Sequence, residues 1–275
     1  MKRLSRAGRL LGIVGALLGP GGCAADHPPT GPVDDTPAQT SPVTVPTTGG
    51  EAGLPRILVD ASRDGGVWWF PQVAPFSGTD AHQGWALADA IRSLGYVVEE
   101  LPRPFTITAT LLHSYDIVIR ANGFGTYSQT EIAAYKDYVA QGGKLLLLGD
   151  HMMYAPPDGV ALAFGIDFEG VTRGENALNT FATHAITNGV VSLPYMVGSG
   201  IVSQPASAQI VGRLSSGSYL DLNKNGVRDS TEPSAPGVLG VMPYGAGRIV
   251  FCGDVNLWEL IPQPLVRNVL AWFKE

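Results

Sequence analysis

The stretch GGKLLLLGDH, residues 142–151, decides the fold of this chain. Four consecutive leucines follow a glycine pair and end at Gly149, in a run too short to span a membrane. Such a short apolar run between turn residues is typical of a strand that is buried on both faces of a parallel sheet. The carboxyl ends of the strands in an open α/β sheet form the crevice where ligands bind. We therefore expect Asp150 and His151, which follow the strand, to lie at this edge, which is called the crest below.

The segments around this strand alternate between strand and helix patterns. Strand patterns occur at 57–60, 96–101 and 115–123, and helix patterns occur at 82–95 and 128–143. Ser128 and Glu131 have the spacing of a capping box at the start of the second helix. The alternation predicts an α/β fold with a mostly parallel, doubly wound sheet of the flavodoxin type and helices on both faces. At the C-terminus, the sequence predicts a hairpin over 237–254 and a last helix over 264–273.

The N-terminal part of the chain has a different composition from the rest. Residues 1–22 have four basic residues, a short apolar stretch and then small residues, which is typical of a signal peptide. Cys23 follows these small residues and resembles the lipidated cysteine of bacterial lipoproteins, although Pro20 stands where that family usually has leucine. Simple cleavage and secretion is the alternative. Residues 23–54 are rich in proline and threonine and predict a disordered tether, which leaves 55–275 as the folded domain.

Composition and charge limit the possible partners. The chain has 275 residues, of which 45% are hydrophobic and 15% are charged, and this suits one globular domain with appendages. Removing residues 1–22 changes the formal net charge from −6 to −10. An acidic protein is a poor partner for nucleic acid or anionic membrane surfaces, so we expect membrane contact only through a lipid anchor. The predicted location is the bacterial cell envelope outside the cytoplasm, either lipid-anchored or secreted. Cys252 lies in a strand pattern and is expected to be a buried, unreactive residue.

The order of four motifs resembles the class I glutamine amidotransferase-like fold, in particular its non-catalytic bacterial relatives of unknown function. The motifs are RILVDASRDGG at 56–66, GGKLLLLGDH at 142–151, HAITNGV at 184–190 and YGAGRIVFCGD at 244–254, followed by LVRNVLAWF at 265–273. In catalytic members of the superfamily, the strand equivalent to 145–148 ends in a Gly-x-Cys-x-Gly elbow, and a later strand supplies a His-x-Glu pair. Here Asp150 or His151 stands in place of the cysteine, and Asp254 and Asn256 stand near the pair. The resemblance therefore implies the fold without glutamine hydrolysis, because the nucleophile is missing.

Carboxylates follow several predicted strands and are the candidate chemical groups of the crest. The candidates are Asp60, Asp64, Asp150, His151 and Asp254. Such a group can hold a divalent cation, or act as an acid and base pair whose pKa values are separated by proximity. The alternative is structural, since an aspartate after a strand routinely accepts hydrogen bonds from the next backbone amides.

A long insertion over 65–84 separates the first strand from the first helix and contains Trp68 and Trp69. Adjacent exposed tryptophans offer flat surfaces for sugar rings or peptide prolines. We therefore predict ligand contact by Trp68 and Trp69, together with Asp60 and Asp64. The alternative is that the aromatic residues of the insertion fold back into a small core of their own.

The segment DLNKNGVRDSTE, residues 221–232, has the spacing of a calcium-binding loop. Side-chain oxygens fall at positions one, three, five, nine and twelve of the loop, the carbonyl of position seven completes the set, and Gly226 takes the sharp turn at position six. The predicted ligands are Asp221, Asn223, Asn225, Val227, Asp229 and Glu232. The segment has no clear amphipathic helix before it and Pro233 after it, so a solvated Asn-Gly turn is the alternative. A bound calcium ion would be structural and would order the insertion.

These patterns favour a binding or scaffold module at the cell envelope, whose partner is an envelope glycan or a protein. The alternative function is that of a hydrolase acting on an envelope glycan or peptide through Asp150, His151 and Asp254. The two functions differ in what they require of the crest. An enzyme requires these side chains to converge in an open pocket. A binding module uses the carboxylates to hold backbone amides instead.

Overall fold

The computed structural model describes residues 53–63, 84–101, 105–121, 125–150, 157–259 and 263–275. The expected signal peptide, and the tether except for its last two residues, lie outside the described residues. The helices are α1 Trp85–Ser93, α2 Ala109–Leu112, α3 Gln129–Ala140, α4 Gly159–Ala163, α5 Asn256–Glu259 and α6 Gln263–Lys274. The strands are β1 Arg56–Asp60, β2 Val97–Leu101, β3 Ile117–Arg120, β4 Lys144–Leu148, β5 Asp167–Glu169, β6 Val171–Arg173, β7 Ala177–Phe181, β8 Leu193–Pro194, β9 Gly200–Ser203, β10 Gln209–Leu214, β11 Tyr219–Asp221, β12 Gly237–Tyr244 and β13 Gly247–Cys252.

The central sheet has nine strands in the order β2-β1-β3-β4-β13-β12-β10-β7-β8. The first five strands in this order are parallel to one another, and the following strands extend the sheet by antiparallel pairing. Strands β12 and β13 pair antiparallel across a two-residue turn, with Tyr244 opposite Gly247. The expected α/β architecture is therefore present, and its parallel half carries the crest.

The leucine run forms β4, in the middle of the parallel half of the sheet. Leu145 and Leu147 face one hydrophobic cluster, and Leu146 and Leu148 face the other. All four side chains are buried. Successive residues of a strand point to opposite faces, so this run has no solvent-exposed side. The prediction of a strand buried on both faces is confirmed.

Helices cover both faces of the sheet, and local sequence signals set their positions. Leu87, Ala88 and Ile91 of α1 pack into one cluster together with α6, and α2, α3 and α4 pack into the other. The capping box predicted for α3 is present, because the Ser128 side chain accepts from the amide of Glu131 and the Glu131 side chain accepts from the amide of Ser128. Two faces with separate cores make the sheet doubly wound.

Two small antiparallel pairs, β5 with β9 and β6 with β11, lie beside the crest. The amide of Ser199 donates to the carbonyl of Gly253, just beyond β13, and the amide of Thr172 donates to the carbonyl of Gly198. These bonds fix the segment 195–199 against the end of β13. Within the described ranges, no helix is long and apolar enough to cross a membrane.

Candidate functional site

The parallel strands bring three of the predicted site residues to one edge of the sheet. Asp60 is the last residue of β1, and Asp150 and Asp254 each follow a strand by one glycine. Cys23, Asp64, Trp68, Trp69 and His151 lie outside the described residues. The described part of the crest therefore shows how three carboxylates are used.

The carboxylate of Asp60 is fully buried and is held by three hydrogen-bond donors. One oxygen, Oδ2, accepts from the Tyr127 hydroxyl at 2.8 Å and from the Tyr135 hydroxyl at 2.5 Å. The other oxygen, Oδ1, accepts from the Ser62 amide at 2.9 Å. Burial raises the pKa of both tyrosines well above their usual value, and the nearby Asp60 adds to the rise. Both phenols therefore stay protonated and act as donors to a charged carboxylate.

A buried guanidinium lies beside this group, and sequence reasoning did not identify it. Arg120 ends β3 with no exposed surface, and its Nη2 donates to the carboxylate of Asp158. The other oxygen of Asp158 accepts from the amides of Val160 and Ala161, each at 3.1 Å, at the start of α4. Arg120 thus joins β3 to α4 through one carboxylate. The available signal was an arginine at the end of the apolar strand sequence IVIR.

The carboxylate of Asp254 is fully buried and is also bound to the backbone. Its Oδ2 accepts from the Met196 amide at 3.1 Å, and its Oδ1 accepts from the Asn256 amide at 2.9 Å. Gly198 lies against the same side chain, because a Cβ atom at this position would be 2.6 Å from the Asp254 Cβ. Asp254 therefore joins the end of β13 to the segment 195–199 and to the start of α5.

Asp150 and Cys252 lie in the same buried layer of the crest. The side chain of Asp150 is 1% exposed, and its carbonyl oxygen accepts from the Ser199 hydroxyl at 2.7 Å. The Cys252 thiol donates to the carbonyl of Asp254 at 3.4 Å. Burial raises the pKa of this thiol to about 12. A thiol in this environment is protonated at neutral pH and is not an activated nucleophile.

The segment 221–232 folds into a closed loop through the oxygen-bearing residues of the predicted calcium motif. Asp229 Oδ2 accepts from the side-chain amides of Asn223 at 2.5 Å and Asn225 at 3.2 Å. Glu232 accepts from the amides of Leu222 at 2.9 Å and Asp229 at 3.0 Å. Four of the six predicted ligands, namely Asn223, Asn225, Asp229 and Glu232, are therefore in direct contact with another part of the loop.

The first position of the loop has an additional partner outside it. Asp221 accepts from the amides of Asn225 at 3.1 Å and Gly226 at 2.9 Å, and its Oδ2 also accepts from Arg173 Nε at 2.9 Å. Burial raises the pKa of Asp221, but Arg173 and the loop amides outweigh burial and lower it overall. Gly226 has a φ of +79°, which a side chain would disfavour. The turn at position six is therefore present. Asp221, the first of the predicted ligands, already forms an ion pair with Arg173.

The arrangement limits the chemistry of the described residues. Asp60 and Asp254 are enclosed and bonded to internal donors, so neither oxygen pair reaches an open pocket. Over the described ranges, no three or more His, Cys, Asp or Glu side chains are placed together to hold a metal ion. The loop 221–232 offers a different donor set, since its predicted ligands include two asparagines and a backbone carbonyl. A calcium ion there would draw on all of these oxygens.

No protein-family model matches the chain, and no curated protein matches it. Solved structures do match. The mmIFT52 N-terminal domain has a TM-score of 0.58 at 15% identity, with 80% of this chain and 97% of that chain covered. A putative ThuA-like protein from Bacteroides uniformis has a TM-score of 0.52 at 16% identity, with 82% of this chain and 94% of that chain covered. The cytoplasmic protein STM3548 from Salmonella typhimurium has a TM-score of 0.51 at 14% identity, with coverage of 80% and 98%.

These likenesses define the class of the fold. ThuA-like proteins belong to the class I glutamine amidotransferase-like superfamily. At identities this low, the likeness shows the fold alone. The chain therefore shares the α/β fold of these structures, and this agrees with the fold that its sequence motifs predict.

Proposed function

We propose that this chain is an extracytoplasmic binding or scaffold module, lipid-anchored through Cys23 or secreted, with a non-catalytic amidotransferase-like domain. In this proposal, Trp68, Trp69 and Asp64 supply groups that contact the ligand. The observation that carries the proposal is the internal use of the crest carboxylates. Asp60 binds two tyrosine hydroxyls and a backbone amide, and Asp254 binds two backbone amides.

This use of the carboxylates argues against catalysis by the described residues. A general acid or base must come within hydrogen-bond reach of its substrate, either directly or through one water molecule. Asp60 and Asp254 have no exposed surface. Moving either of them toward a substrate would leave buried backbone or hydroxyl donors without an acceptor, at a cost of about 1–3 kcal/mol for each donor. The buried carboxylates instead join β1 to α3, and the end of β13 to the segment 195–199 and to α5.

The partner that fits this surface is an envelope glycan or a protein. Tryptophan faces stack on sugar rings and on proline-rich peptide segments. The expected charge of −10 after removal of residues 1–22 disfavours nucleic acid and anionic lipid as partners. Contact with the membrane is therefore assigned to the lipid on Cys23 alone.

A ligand screen tests the binding proposal. The mature chain is incubated with a panel of envelope glycans and peptides while its melting temperature is followed, because a ligand that binds only the native state raises it. A ligand present at about 100 times its Kd adds about 2.7 kcal/mol to the free energy of unfolding. The shift should disappear in the double variant Trp68→Ala/Trp69→Ala and persist in Val191→Ala, a control at an exposed apolar residue outside the insertion. A shift that survives the double variant would contradict the proposed surface.

The same panel separates binding from hydrolysis through Asp150, His151 and Asp254. A binding module leaves every panel member intact. Cleavage of any member, with activity lost in Asp150→Asn, would replace this proposal with the hydrolase. Asp150→Asn keeps the shape of the side chain, so its effect on cleavage is distinguishable from unfolding by the melting temperature of the variant.

We further propose that the loop 221–232 binds a structural calcium ion. Support comes from the spacing of its oxygens, from the turn at Gly226 and from the contacts that hold Asn223, Asn225 and Asp229 together. Only three carboxylates contribute, so the affinity belongs to the extracellular class, with a Kd of about 10⁻⁴ to 10⁻³ M. When bound, the ion would bring together the loop oxygens. Arg173 would share Asp221 with the ion, which also favours modest affinity.

Calcium titration with a charge-matched control tests the loop. At about 10 mM calcium, the Kd range above predicts a gain of about 1.4–2.7 kcal/mol in the free energy of unfolding. Glu232→Gln should abolish this gain, whereas Glu169→Gln, which removes an exposed carboxylate on β5, should retain it. The gain is compared within each variant, so any loss of stability from the substitution itself does not enter. Equal gains in wild type and Glu232→Gln would refute the site.

The lipid anchor is tested by fractionation of bacterial cells that express the whole chain. We expect the wild type in the membrane fraction with a lipidated N-terminal cysteine in its mass spectrum. Cys23→Ser should move the protein to the soluble extracytoplasmic fraction. Soluble wild-type protein without lipid would assign the chain to the secreted alternative.

A further inference from the structure

A cavity of about 380 Å³ opens at the edge of the sheet opposite the crest. Its wall includes Pro55 before β1, Ile117 at the start of β3 and Lys144 at the start of β4. These are the amino ends of the parallel strands, so the cavity is separate from the crest. Its volume lies within the range of small-molecule sites, roughly 300–1,000 Å³.

Two lysines contribute positive charge to the cavity wall. Lys144 and Lys274 both line the cavity, and neither forms a salt bridge within the part of the chain that the structure describes. The Lys144 ammonium donates to the carbonyl of Gly142, which leaves it further donors. Burial, and then the charge of Arg248, lower the pKa of Lys144, whereas the nearby carboxylate of Asp116 raises it. Positive charge is thus concentrated at this place in a chain whose net charge is −6.

The acidic and imidazole groups of the wall are already used elsewhere. Asp116 Oδ2 accepts from the Arg56 amide at 2.7 Å. His113 Nε2 lies 3.1 Å from a carboxylate oxygen of Asp137, outside the cavity wall. The cavity wall therefore contains two lysine ammonium groups and one carboxylate, that of Asp116, which already accepts a hydrogen bond. An anion placed in the cavity meets a net positive environment.

Three tyrosines give the cavity aromatic surface. Tyr96, Tyr115 and Tyr138 line it, and the Lys274 ammonium lies 5.0 Å from the centre of the Tyr96 ring. The Tyr115 hydroxyl donates to Glu99, and the Tyr138 hydroxyl accepts from the Lys144 amide at 3.2 Å. The Tyr96 hydroxyl is buried and has no hydrogen-bond partner among the described residues. Tyrosine rings beside the ammonium groups of Lys144 and Lys274 favour a ligand that has both a ring and an anionic group.

We propose that this cavity binds a small phosphate monoester that carries a ring, with the phosphate between the ammonium groups of Lys144 and Lys274 and the ring against the tyrosines. A dianionic phosphate fits two lysines, since lysine binds phosphate as a point charge. The cavity is independent of the ligand contact proposed for Trp68 and Trp69. A variant that loses phosphate-ester binding should therefore keep the binding proposed for the tryptophans.

Three probes separate the contributions of the ring and the phosphate. Calorimetric titration of the mature chain uses phenyl phosphate, inorganic phosphate and phenol. We expect phenyl phosphate to bind with a Kd of about 1 mM or lower, inorganic phosphate to bind several-fold more weakly, and phenol to show no measurable binding. Raising the salt concentration should weaken phenyl phosphate binding, because added salt screens exposed charges. No binding of phenyl phosphate at about 10 mM would overturn the proposal.

Charge-matched variants test the location of the site. Lys274→Gln and Lys144→Gln should each weaken phenyl phosphate binding by about three- to fivefold, the range of a partly exposed ion pair. Lys274 is exposed near the end of α6, so Lys274→Gln tests the site even if Lys144→Gln affects folding. Lys224→Gln removes the same charge in the exposed loop 221–232 and should leave the Kd unchanged. Equal Kd values in wild type and Lys274→Gln, or an equal loss in Lys224→Gln, would overturn the proposed site.

Discussion

Removal of the Tyr135 hydroxyl is the smallest change that tests the internal role of the crest carboxylates. Tyr135 is fully buried on α3, and its hydroxyl donates to Asp60 at 2.5 Å. A hydrogen bond to a charged group contributes about 1.5–3 kcal/mol. The Tyr127 hydroxyl and the Ser62 amide still bind Asp60 in the variant. We therefore expect Tyr135→Phe to lower the free energy of unfolding by about 2 kcal/mol.

The double variant gives a larger effect than the sum of its parts. Tyr127→Phe/Tyr135→Phe leaves Asp60 Oδ2 with no donor among the described residues. A buried charge without its partners costs more than the hydrogen bonds alone. The coupling between two residues that share one partner is about 0.5 kcal/mol or more. In a double-mutant cycle, the loss of stability in the double variant should therefore exceed the sum of the two single losses by about 0.5 kcal/mol or more.

Urea unfolding measures these effects, and the chain supplies a matched control. The midpoint concentration should fall at an unchanged slope, since only stability changes. For a domain of this size, the melting temperature should fall by about 2–4 °C for each kcal/mol. Tyr96→Phe is the control, because the buried Tyr96 hydroxyl has no hydrogen-bond partner in the described part of the chain. Its removal should cost no more than about 0.5 kcal/mol. Equal losses in Tyr135→Phe and Tyr96→Phe would refute the structural role of the Asp60 cluster.

Three further predictions concern the core, a helix cap and the buried thiol. Leu147→Ala removes a fully buried side chain from β4 and should cost about 2–5 kcal/mol in urea unfolding; a loss below about 1 kcal/mol would contradict the burial of this face of β4. Ser128→Ala removes the cap of α3 and should cost about 1 kcal/mol, whereas Ser93→Ala at the exposed end of α1 should cost less than half of that. The pKa of Cys252 is about 12 in the folded chain and about 8.5 when unfolded, so its contribution to stability is full below about pH 8.5 and falls as the pH rises toward 12. Between pH 7 and pH 10, the free energy of unfolding of the wild type should therefore fall relative to that of Cys252→Ala. A difference between the two that stays constant would contradict the raised pKa.

Local patterns in the sequence predicted the elements of the fold because each pattern acts over a few residues. The leucine run 145–148 shows burial on both faces through its composition alone, and Ser128 with Glu131 shows the start of α3 through its spacing. The resemblance of four motifs then predicted an order of elements like that of the amidotransferase-like fold. The antiparallel extension by β7, β8 and β10 carries no such local signal, because strand pairing depends on residues far apart in the chain.

The use of the crest carboxylates was not predictable from their positions. Asp60 and Tyr135 are 75 residues apart, and Arg120 and Asp158 are 38 residues apart. Each side chain had an ordinary local explanation, since tyrosine on a helix face predicts a core residue and aspartate before a helix predicts a cap. Their hydrogen bonds follow from the packing of α3 and α4 against the sheet, which a single sequence does not specify.

Product analysis on the ligand that raises the melting temperature tests the central claim most directly. The mature chain is incubated with that ligand for many hours, and the mixture is analysed by mass spectrometry alongside Asp150→Asn. A binding module predicts that the ligand is recovered intact from both proteins. Cleaved ligand from the wild type and intact ligand from the variant would show that the crest is catalytic and would contradict the account.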